Sequence, residues 1–170
     1  MPPPLRAARP FGLLYRLIAD ADLAFLGELY ASTRWDEVAA LPWTDEAKTA
    51  FLAQQFDAQH RHYMAHYPDA EWLVVERGGA AIGRLYLEEW PTQIRIIDIA
   101  LMPDSRGQGI GAAILLDTIA LARGLGKRVS IHVEKNNVAM RLYRRLGFAA
   151  VEDKGVYDLM ECHPDQADQA

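Results

Sequence analysis

The chain has 170 residues, of which 51% are hydrophobic, and a formal net charge of −5. This length and composition suit one globular domain with a substantial core. The acidic balance argues against nucleic acid as a partner, because neutralising phosphates needs clustered positive charge, and the one dense basic cluster is small: Arg141, Arg144 and Arg145.

The N-terminal segment combines a proline run with an apolar run. Three consecutive prolines predict a disordered leader over residues 1–10. The apolar run that follows is interrupted by Arg16 and has no small-residue cleavage site, so it predicts a strand near Leu13–Leu17 rather than a signal peptide.

The remaining composition sets the domain boundaries. No apolar run reaches the length that crosses a membrane, so no membrane partner is expected. Cys162 is the lone cysteine, which excludes an internal disulfide and favours the cytoplasm. We expect a single domain over residues 11–162 and a flexible tail over residues 163–170.

Two helices are expected before the first pair of central strands. Apolar residues recur with a helical period from Asp22 to Thr33. A second helix is predicted to begin after Thr44 as N-cap and to end near Tyr67, where a proline follows.

Two histidines on the second helix have the spacing of a metal-binding pair. His62 and His66 stand four residues apart, which lets two side chains share one ion. No carboxylate or cysteine completes a known pattern, and His60 falls on another face. We therefore expect no metal site.

Short β-rich runs separated by turn residues predict a sheet. Two of them flank Arg77-Gly78-Gly79, a hairpin turn signal, and two more flank Lys154-Gly155. The predicted strands, besides the first, are Trp72–Glu76, Ala81–Glu88, Ile94–Leu101, Val129–Val133, Ala149–Glu152 and Val156–Met160.

A glycine-rich stretch follows the strand Ile94–Leu101. Gly107, Gly109 and Gly111 let the backbone turn sharply and approach a ligand, with several N–H groups pointing the same way. The next segment, Ala112–Arg123, is rich in alanine, leucine and isoleucine and predicts a helix, whose N-terminus attracts phosphate. Strand, glycine loop and helix together predict a phosphate-bearing cofactor.

One family with such a loop is the dinucleotide-binding fold. Gly107-x-Gly109-x-x-Ala112 fits its fingerprint, and Glu134 lies where a ribose-binding acid belongs. The three residues Asp104, Ser105 and Arg106 add length before the loop, however, and the chain after Glu134 is too short for a second βαβαβ half. A dinucleotide oxidoreductase is therefore the weaker alternative.

Two further motifs carry a more specific resemblance. The loop contains Arg106-x-x-Gly109-x-Gly111. After the next strand the chain contains Asn136-x-x-Ala139-x-x-Leu142-Tyr143-x-x-x-Gly147-Phe148. In this order and spacing they resemble the paired motifs of the GNAT superfamily of N-acetyltransferases.

That resemblance implies the fold and the activity. The expected fold is α/β, a mixed, mostly antiparallel sheet with helices on both faces. The expected activity is acetyl-CoA-dependent N-acetyl transfer to a primary amine of a small molecule or peptide by direct attack on the thioester. The alternative is a non-catalytic module of the same fold that binds acyl-CoA. The resemblance leaves open a monomer or a homodimer.

The resemblance also implies which residues bind acetyl-CoA. Backbone N–H groups around Leu101 would meet the thioester carbonyl and pantetheine arm, and the amides of Arg106 to Ala112 would meet the pyrophosphate. The expected cofactor-binding residues are Ile99, Leu101, Met102, Arg106, Gly107, Gln108, Gly109, Ile110, Gly111, Ala112, Asn136 and Tyr143.

Tyr143 is the general acid that the resemblance implies, protonating the departing sulfur. Its alternative is a core aromatic, because it shares a helical face with Ala139, Leu142 and Leu146. Asn136 has two readings as well: a helix cap and a cofactor contact.

The general base has no clear match. Many relatives carry a glutamate early on the strand, where this chain has Arg95. Asp98 is the nearest carboxylate, although strand alternation places it on the opposite face from Arg95. Asp98 is the candidate base, with Glu88, Glu134 and a water chain as alternatives.

Acidic residues gather in segments that the GNAT arrangement brings toward the acceptor. They predict a cationic amine, held also by tryptophan faces. The acidic candidates are Asp36, Glu37, Glu88, Glu89 and Asp98, and the aromatic ones are Trp35, Trp43 and Trp90. If the acceptor is anionic instead, the candidate anchors are Arg34, Arg84 and Arg95.

Overall fold

A computed structural model describes residues 1–164 as a seven-stranded sheet flanked by helices. The strands are β1 (Leu13–Leu17), β2 (Glu71–Arg77), β3 (Ala80–Glu89), β4 (Gln93–Leu101), β5 (Arg128–Glu134), β6 (Ala149–Asp153) and β7 (Tyr157–Cys162). The helices are α1 (Leu23–Ala39), α2 (Asp45–His66), α3 (Ile110–Gly124) and α4 (Met140–Arg145).

The sheet order is β1-β2-β3-β4-β5-β7-β6, and every neighbouring pair is antiparallel except β4 and β5. The predicted mixed, mostly antiparallel sheet is therefore confirmed. The dinucleotide alternative is wrong, because that fold needs a mostly parallel sheet built from two βαβαβ halves.

The main core lies between one face of the sheet and helices α3 and α4. Ile94 and Ile96 of β4 are 2% and 1% exposed and pack in one cluster with Ile110 and Ile114 of α3, which are fully buried. A second, smaller cluster joins α1 and α2. The two helix pairs therefore belong to separate apolar clusters.

A β-bulge interrupts β4. Adjacent residues of β3 oppose Asp98 and Ile96, so Ile97 has no partner across the ladder. Asp98 and Arg95 then oppose β3 residues that are two apart, and both project from the same face. The expectation that alternation separates Asp98 from Arg95 is wrong, because the extra residue resets the alternation.

Next to the bulge, β4 separates from β5. The parallel ladder runs from Gln93 opposite Arg128 to Ile96 opposite Ile131 and goes no further. Residues 97–101 of β4 and 132–134 of β5 therefore border a wedge, the β4–β5 opening. The opening includes Ile99 and Leu101, two of the residues expected to bind acetyl-CoA.

The largest difference from the predicted helix boundaries lies at the end of α1. Thr44 is the N-cap of α2, as predicted, and its hydroxyl accepts a hydrogen bond from the Ala47 N–H at 3.2 Å. Helix α1, however, continues to Ala39. Trp35 and Glu37 thus lie on α1, beyond Thr33, where the helical period in the sequence ends.

Residues 6–8 are held against α3, whereas the sequence predicts a disordered leader there. The carboxylate of Asp117, 1% exposed, accepts hydrogen bonds from the N–H groups of Arg6, Ala7 and Ala8 at 3.2, 2.7 and 3.0 Å. A buried carboxylate needs such donors, and the leader supplies them. From residue 165 on, the predicted tail lies outside the described residues. Within residues 1–164, no helix is long and apolar enough to cross a membrane.

We expect Asp117→Ala to lower the free energy of unfolding by about 2–4 kcal/mol, because three N–H groups lose a charged acceptor. Urea denaturation measures the loss, and limited proteolysis should show faster cleavage near residues 6–8. Asp117→Asn keeps one acceptor oxygen and should lose less. Wild-type stability in Asp117→Ala would show that these contacts are dispensable.

Candidate active site

The glycine loop presents a row of unused backbone donors. Gly107 and Gly109 have φ angles of 69° and 83°, and Gly109 is the N-cap of α3 without a side-chain cap. Within residues 1–164, no N–H from Gly107 to Ala112 donates a hydrogen bond. Free amides at a helix N-terminus suit a phosphate, so this loop fits the diphosphate of a coenzyme.

The side chains of the loop brace it instead of facing a ligand. The N–H of Arg106 donates to Pro103 O at 3.1 Å, and its guanidinium donates to Leu101 O at 2.8 Å and to Ser32 Oγ at 3.2 Å. Gln108 bonds the carbonyl of Asp104 at 2.6 Å. The row of free amides thus begins at Gly107, one residue later than predicted.

The edge of β4 offers donors to the β4–β5 opening. The N–H of Met102 donates to Ile82 O on the β3 side at 2.8 Å. Because successive N–H groups point to opposite sides of a strand, those of Leu101 and Ile99 point into the opening. The N–H of Met102 is already used, which leaves Leu101 and Ile99 as the available backbone donors.

Tyr143 combines a core ring with a free hydroxyl. Tyr143 is 5% exposed. Its ring packs edge to face on Phe148, with the two ring centroids 5.6 Å apart. The hydroxyl oxygen forms no hydrogen bond within residues 1–164, and it is accessible to solvent. Burial, with a smaller contribution from the Asp98 carboxylate, raises the pKa of Tyr143 to about 12. The hydroxyl therefore keeps its proton at neutral pH.

Asn136 is exposed and does not cap α4. The N-cap is Ala139, and the side chain of Asn137 accepts a hydrogen bond from the Ala139 N–H at 2.8 Å. The capping reading of Asn136 is therefore wrong. Its side chain forms no hydrogen bond within the described chain, so its amide is available to a ligand.

Asp98 lies in a buried polar network on the face opposite the main core. Its Oδ2 accepts hydrogen bonds from Arg84 at 2.6 Å and from the Tyr63 hydroxyl at 3.2 Å, and Arg84 also donates to Gln59 at 2.9 Å. Arg84 is 3% exposed and Asp98 17%. The ion pair compensates the burial of both charges and fixes the carboxylate beside the bulge.

Comparison with known proteins places this arrangement in a family. Residues 32–148, more than half of the chain, match the model of the Acetyltransferase (GNAT) family. The chain belongs to the GNAT acetyltransferase family. It is an N-acetyltransferase that uses acetyl-CoA.

This acetyltransferase is similar to one known protein in sequence and to others in structure. The peptidyl-lysine N-acetyltransferase YjaB of Salmonella typhimurium is 29% identical over 121 residues, which cover 70% of this chain and 79% of that protein. The PaiA N-acetyltransferase of Thermoplasma acidophilum, solved with coenzyme A, gives a TM-score of 0.67 at 19% identity, over 89% of this chain and 98% of its own.

A third relative is a chimera of spermidine N-acetyltransferase SpeG from Vibrio cholerae and hSSAT. It gives a TM-score of 0.61 at 18% identity and covers 94% of this chain and 99% of its own. At such identities, the two solved structures show a shared fold with this acetyltransferase.

The carboxylates expected to hold a cationic acceptor mostly have partners within the acetyltransferase. Glu37 and Glu134 both pair with Arg34, at 2.7 and 3.0 Å, and Glu89 pairs with Lys127 at 2.5 Å. Glu88 accepts from the Trp90 indole N–H. Four of the five predicted carboxylates, counting Asp98, are therefore already paired or hydrogen-bonded, whereas Asp36 is exposed and has no such partner within residues 1–164.

The aromatic candidates differ in availability. Trp43 is 44% exposed and packs on Phe51 at 5.4 Å, and Trp35 is 37% exposed. The Trp90 ring is covered by the Arg95 guanidinium, whose carbon lies 4.9 Å from the ring centroid. Trp90 thus cannot offer that face to an ammonium group.

Sequence reasoning missed one residue near the opening. His132 lies one residue beyond Ile131, the last residue of β5 that pairs with β4. Its Nδ1 lies 3.2 Å from Nη1 of Arg95. A single histidine on a strand belongs to no motif, so only the β4–β5 pairing reveals its position. No group of three or more His, Cys, Asp or Glu residues among residues 1–164 could hold a metal ion.

We expect Gly109→Val to abolish acetyl-CoA binding, since a branched side chain disfavours the positive φ that shapes the loop and crowds the free amides. Gly126→Val is the matched control, because Gly126 also has a positive φ, 65°, but lies beyond the other end of α3. Both variants should lose about 1–3 kcal/mol of stability. Calorimetric titration with acetyl-CoA distinguishes them, and equal binding by both would exclude the loop as the phosphate site.

Proposed function

We propose that the enzyme acetylates a primary amine of a small molecule or peptide by direct attack of the amine on the thioester. The observation that carries this proposal is the β4–β5 opening, bordered by the free N–H groups of Ile99 and Leu101 and served by the unbonded hydroxyl of Tyr143. The names of two relatives, a peptidyl-lysine and a spermidine N-acetyltransferase, support an amine of this kind.

The backbone supplies binding and polarisation. The amides from Gly107 to Ala112 would hold the coenzyme phosphates, and those of Ile99 and Leu101 would donate to the thioester carbonyl and the pantetheine arm. Acetyl-CoA supplies the activated acetyl group when bound. Asn136, with its free side chain, completes the proposed set of contacts.

Tyr143 is the proposed general acid for the departing sulfur. A group that donates a proton must still hold it when the bond breaks, and the pKa of about 12 ensures this throughout the physiological range. Its packing in the core fixes the ring, and its free oxygen leaves one donor for the reaction.

Asp98 is the proposed proton acceptor. An amine with a pKa near 10 is about 0.1% deprotonated at pH 7, which corresponds to a deficit of roughly 4 kcal/mol. The Oδ2 atom of Asp98 is held by Arg84 and Tyr63, so Oδ1 is the oxygen available to the amine or to an intervening water.

The proposed function is tested with a panel of primary amines, secondary amines, alcohols and lysine-containing peptides, using release of CoA and mass spectrometry of the products. We expect acetylation of primary amines. Activity should rise with pH from 7 to 10 as the amine loses its proton, without a decline from Tyr143 below about pH 11. Acetylation of alcohols alone would contradict the proposal.

We expect Tyr143→Phe to lower kcat by about 10²-fold while acetyl-CoA affinity stays within about twofold, because the ring remains packed and only the donor is lost. Steady-state kinetics and calorimetry measure the two quantities. Unchanged turnover would leave Tyr143 as a core aromatic only.

We expect Asp98→Asn to lower kcat at pH 7 by about 10²-fold, with a deficit that shrinks toward pH 10 as the amine deprotonates in solution. The control is Tyr63→Phe, which removes one hydrogen bond to the same carboxylate and should lower kcat far less. Thermal unfolding of both variants separates catalysis from stability. A deficit independent of pH would assign Asp98 a structural role.

A further inference from the structure

Arg95 is a buried cation whose carboxylate neighbour, Glu161, acts on it only at longer range and is itself paired with Arg128. It is 7% exposed, and no carboxylate within residues 1–164 lies at ion-pair distance from it. The other arginines of this region are paired: Arg84 with Asp98, Arg34 with Glu37 and Glu134, and Arg128 with Glu161 at 2.9 Å. Burying an unpaired charge is unfavourable, and desolvation lowers the pKa of Arg95.

The guanidinium of Arg95 is held on one side and open on another. The Trp90 ring covers one face, Nη1 donates to Nδ1 of His132 at 3.2 Å, and Nε is buried without a partner. Nη2 has no hydrogen bond within the described chain either, but unlike Nε it is accessible to solvent. The packing thus leaves the two N–H donors of Nη2 accessible to a ligand.

His132 supplies a second donor beside Arg95. A guanidinium only donates, so Nδ1 of His132 accepts, and the proton of the neutral ring is on Nε2. Partial burial, followed by the positive charge of Arg95, lowers the pKa of His132 and so favours the neutral ring. In this tautomer His132 has no free lone pair for use as a base and can donate from Nε2.

Ser130 adds an independent sign of an incomplete polar cluster. It lies opposite Arg95 in the parallel ladder and is fully buried, yet its hydroxyl has no hydrogen-bond partner. Ser130 Oγ and Arg95 Nε are both sealed from solvent, so Nη2 of Arg95 is the donor through which a ligand could reach this cluster.

The cluster borders the narrow end of the β4–β5 opening. Arg95 and Ser130 lie one residue before the last pair of the β4–β5 ladder, and His132 lies one residue after it. Arg95 projects from the same face as Asp98, the proposed proton acceptor. An amine placed for transfer at Asp98 would therefore have its substituents near Arg95.

We propose that Arg95 and His132 bind a carboxylate of the acceptor, so that the preferred substrates carry an amine and a carboxylate together. This inference rests on the proposed function and names its substrate class. A carboxylate matches the planar, charge-assisted donors of a guanidinium. We favour this acceptor over the cationic one predicted from the sequence, since four of the five carboxylates behind that prediction have partners and Arg95 has none at ion-pair distance.

The test compares matched acids and carboxamides: glycine, β-alanine, 4-aminobutyrate and lysine against their amides. Lysine peptides with aspartate or asparagine next to the lysine form the second arm, which distinguishes a free amino acid from a peptide side chain as the source of the carboxylate. We expect kcat/KM to favour the acid by about tenfold or more in at least one pair. Equal values in all pairs would overturn the inference while leaving amine acetylation intact.

The variant Arg95→Gln should reduce that preference to about twofold or less, and Arg95→Lys should restore part of it, because the charge returns without the planar pair of donors. Arg128→Gln is the control, since Arg128 belongs to the same strand as Ser130 but is paired with Glu161. A structural role of Arg95 would change activity on acid and amide equally, and that result would refute the proposal.

Calorimetric titration of the CoA complex with β-alanine and with its amide gives a readout independent of turnover. Binding of the acid alone, lost in Arg95→Gln, would support the carboxylate site even if no amine is acetylated, in which case only the proposed function fails. If Arg95→Gln does not fold, the ratio of kcat/KM for acid and amide in the wild type and in Arg95→Lys still tests the carboxylate site.

Discussion

The site depends on how β4 ends its pairing with β5. The parallel ladder stops at Ile96 and the bulge follows at Ile97, so the rest of β4 keeps β3 as its partner and leaves its other edge unpaired. Unpaired strand edges are normally covered or charged. Here the edge borders the β4–β5 opening, and its free N–H groups are the binding groups that we propose for acetyl-CoA. One extra residue thus creates both the opening and its donors.

The same bulge decides which charges share a face. It brings Arg95 and Asp98 to the side of the sheet away from the main core. There the two behave differently, because Asp98 has Arg84 as a partner and Arg95 has none. A buried ion pair fixes geometry, whereas a buried unpaired cation requires a ligand or a loss of stability. The polar network and the proposed acceptor site are therefore products of one backbone irregularity.

Local signals predicted much of the fold. The Thr44 N-cap, the strand at Leu13–Leu17 and the glycine loop followed by α3 are each encoded within a few residues, so they were readable without tertiary contacts. The docking of residues 6–8 was not, because its acceptor, Asp117, lies more than a hundred residues away. The capping alternative for Asn136 was not confirmed either, because the N-cap of α4 is Ala139 and the nearby side-chain hydrogen bond comes from Asn137.

By itself, the sequence determined the family, the cofactor and the position of Tyr143, because these depend on contiguous motifs whose backbone geometry is local. Only the tertiary structure decided which charges are available to an acceptor. Glu89 and Asp98 are paired with a lysine and an arginine from other elements, and Arg95 is left without an ion-pair partner beside His132. Such pairings join residues distant in the chain and depend on strand register, and a bulge that shifts register by one residue exchanges the faces of all residues beyond it.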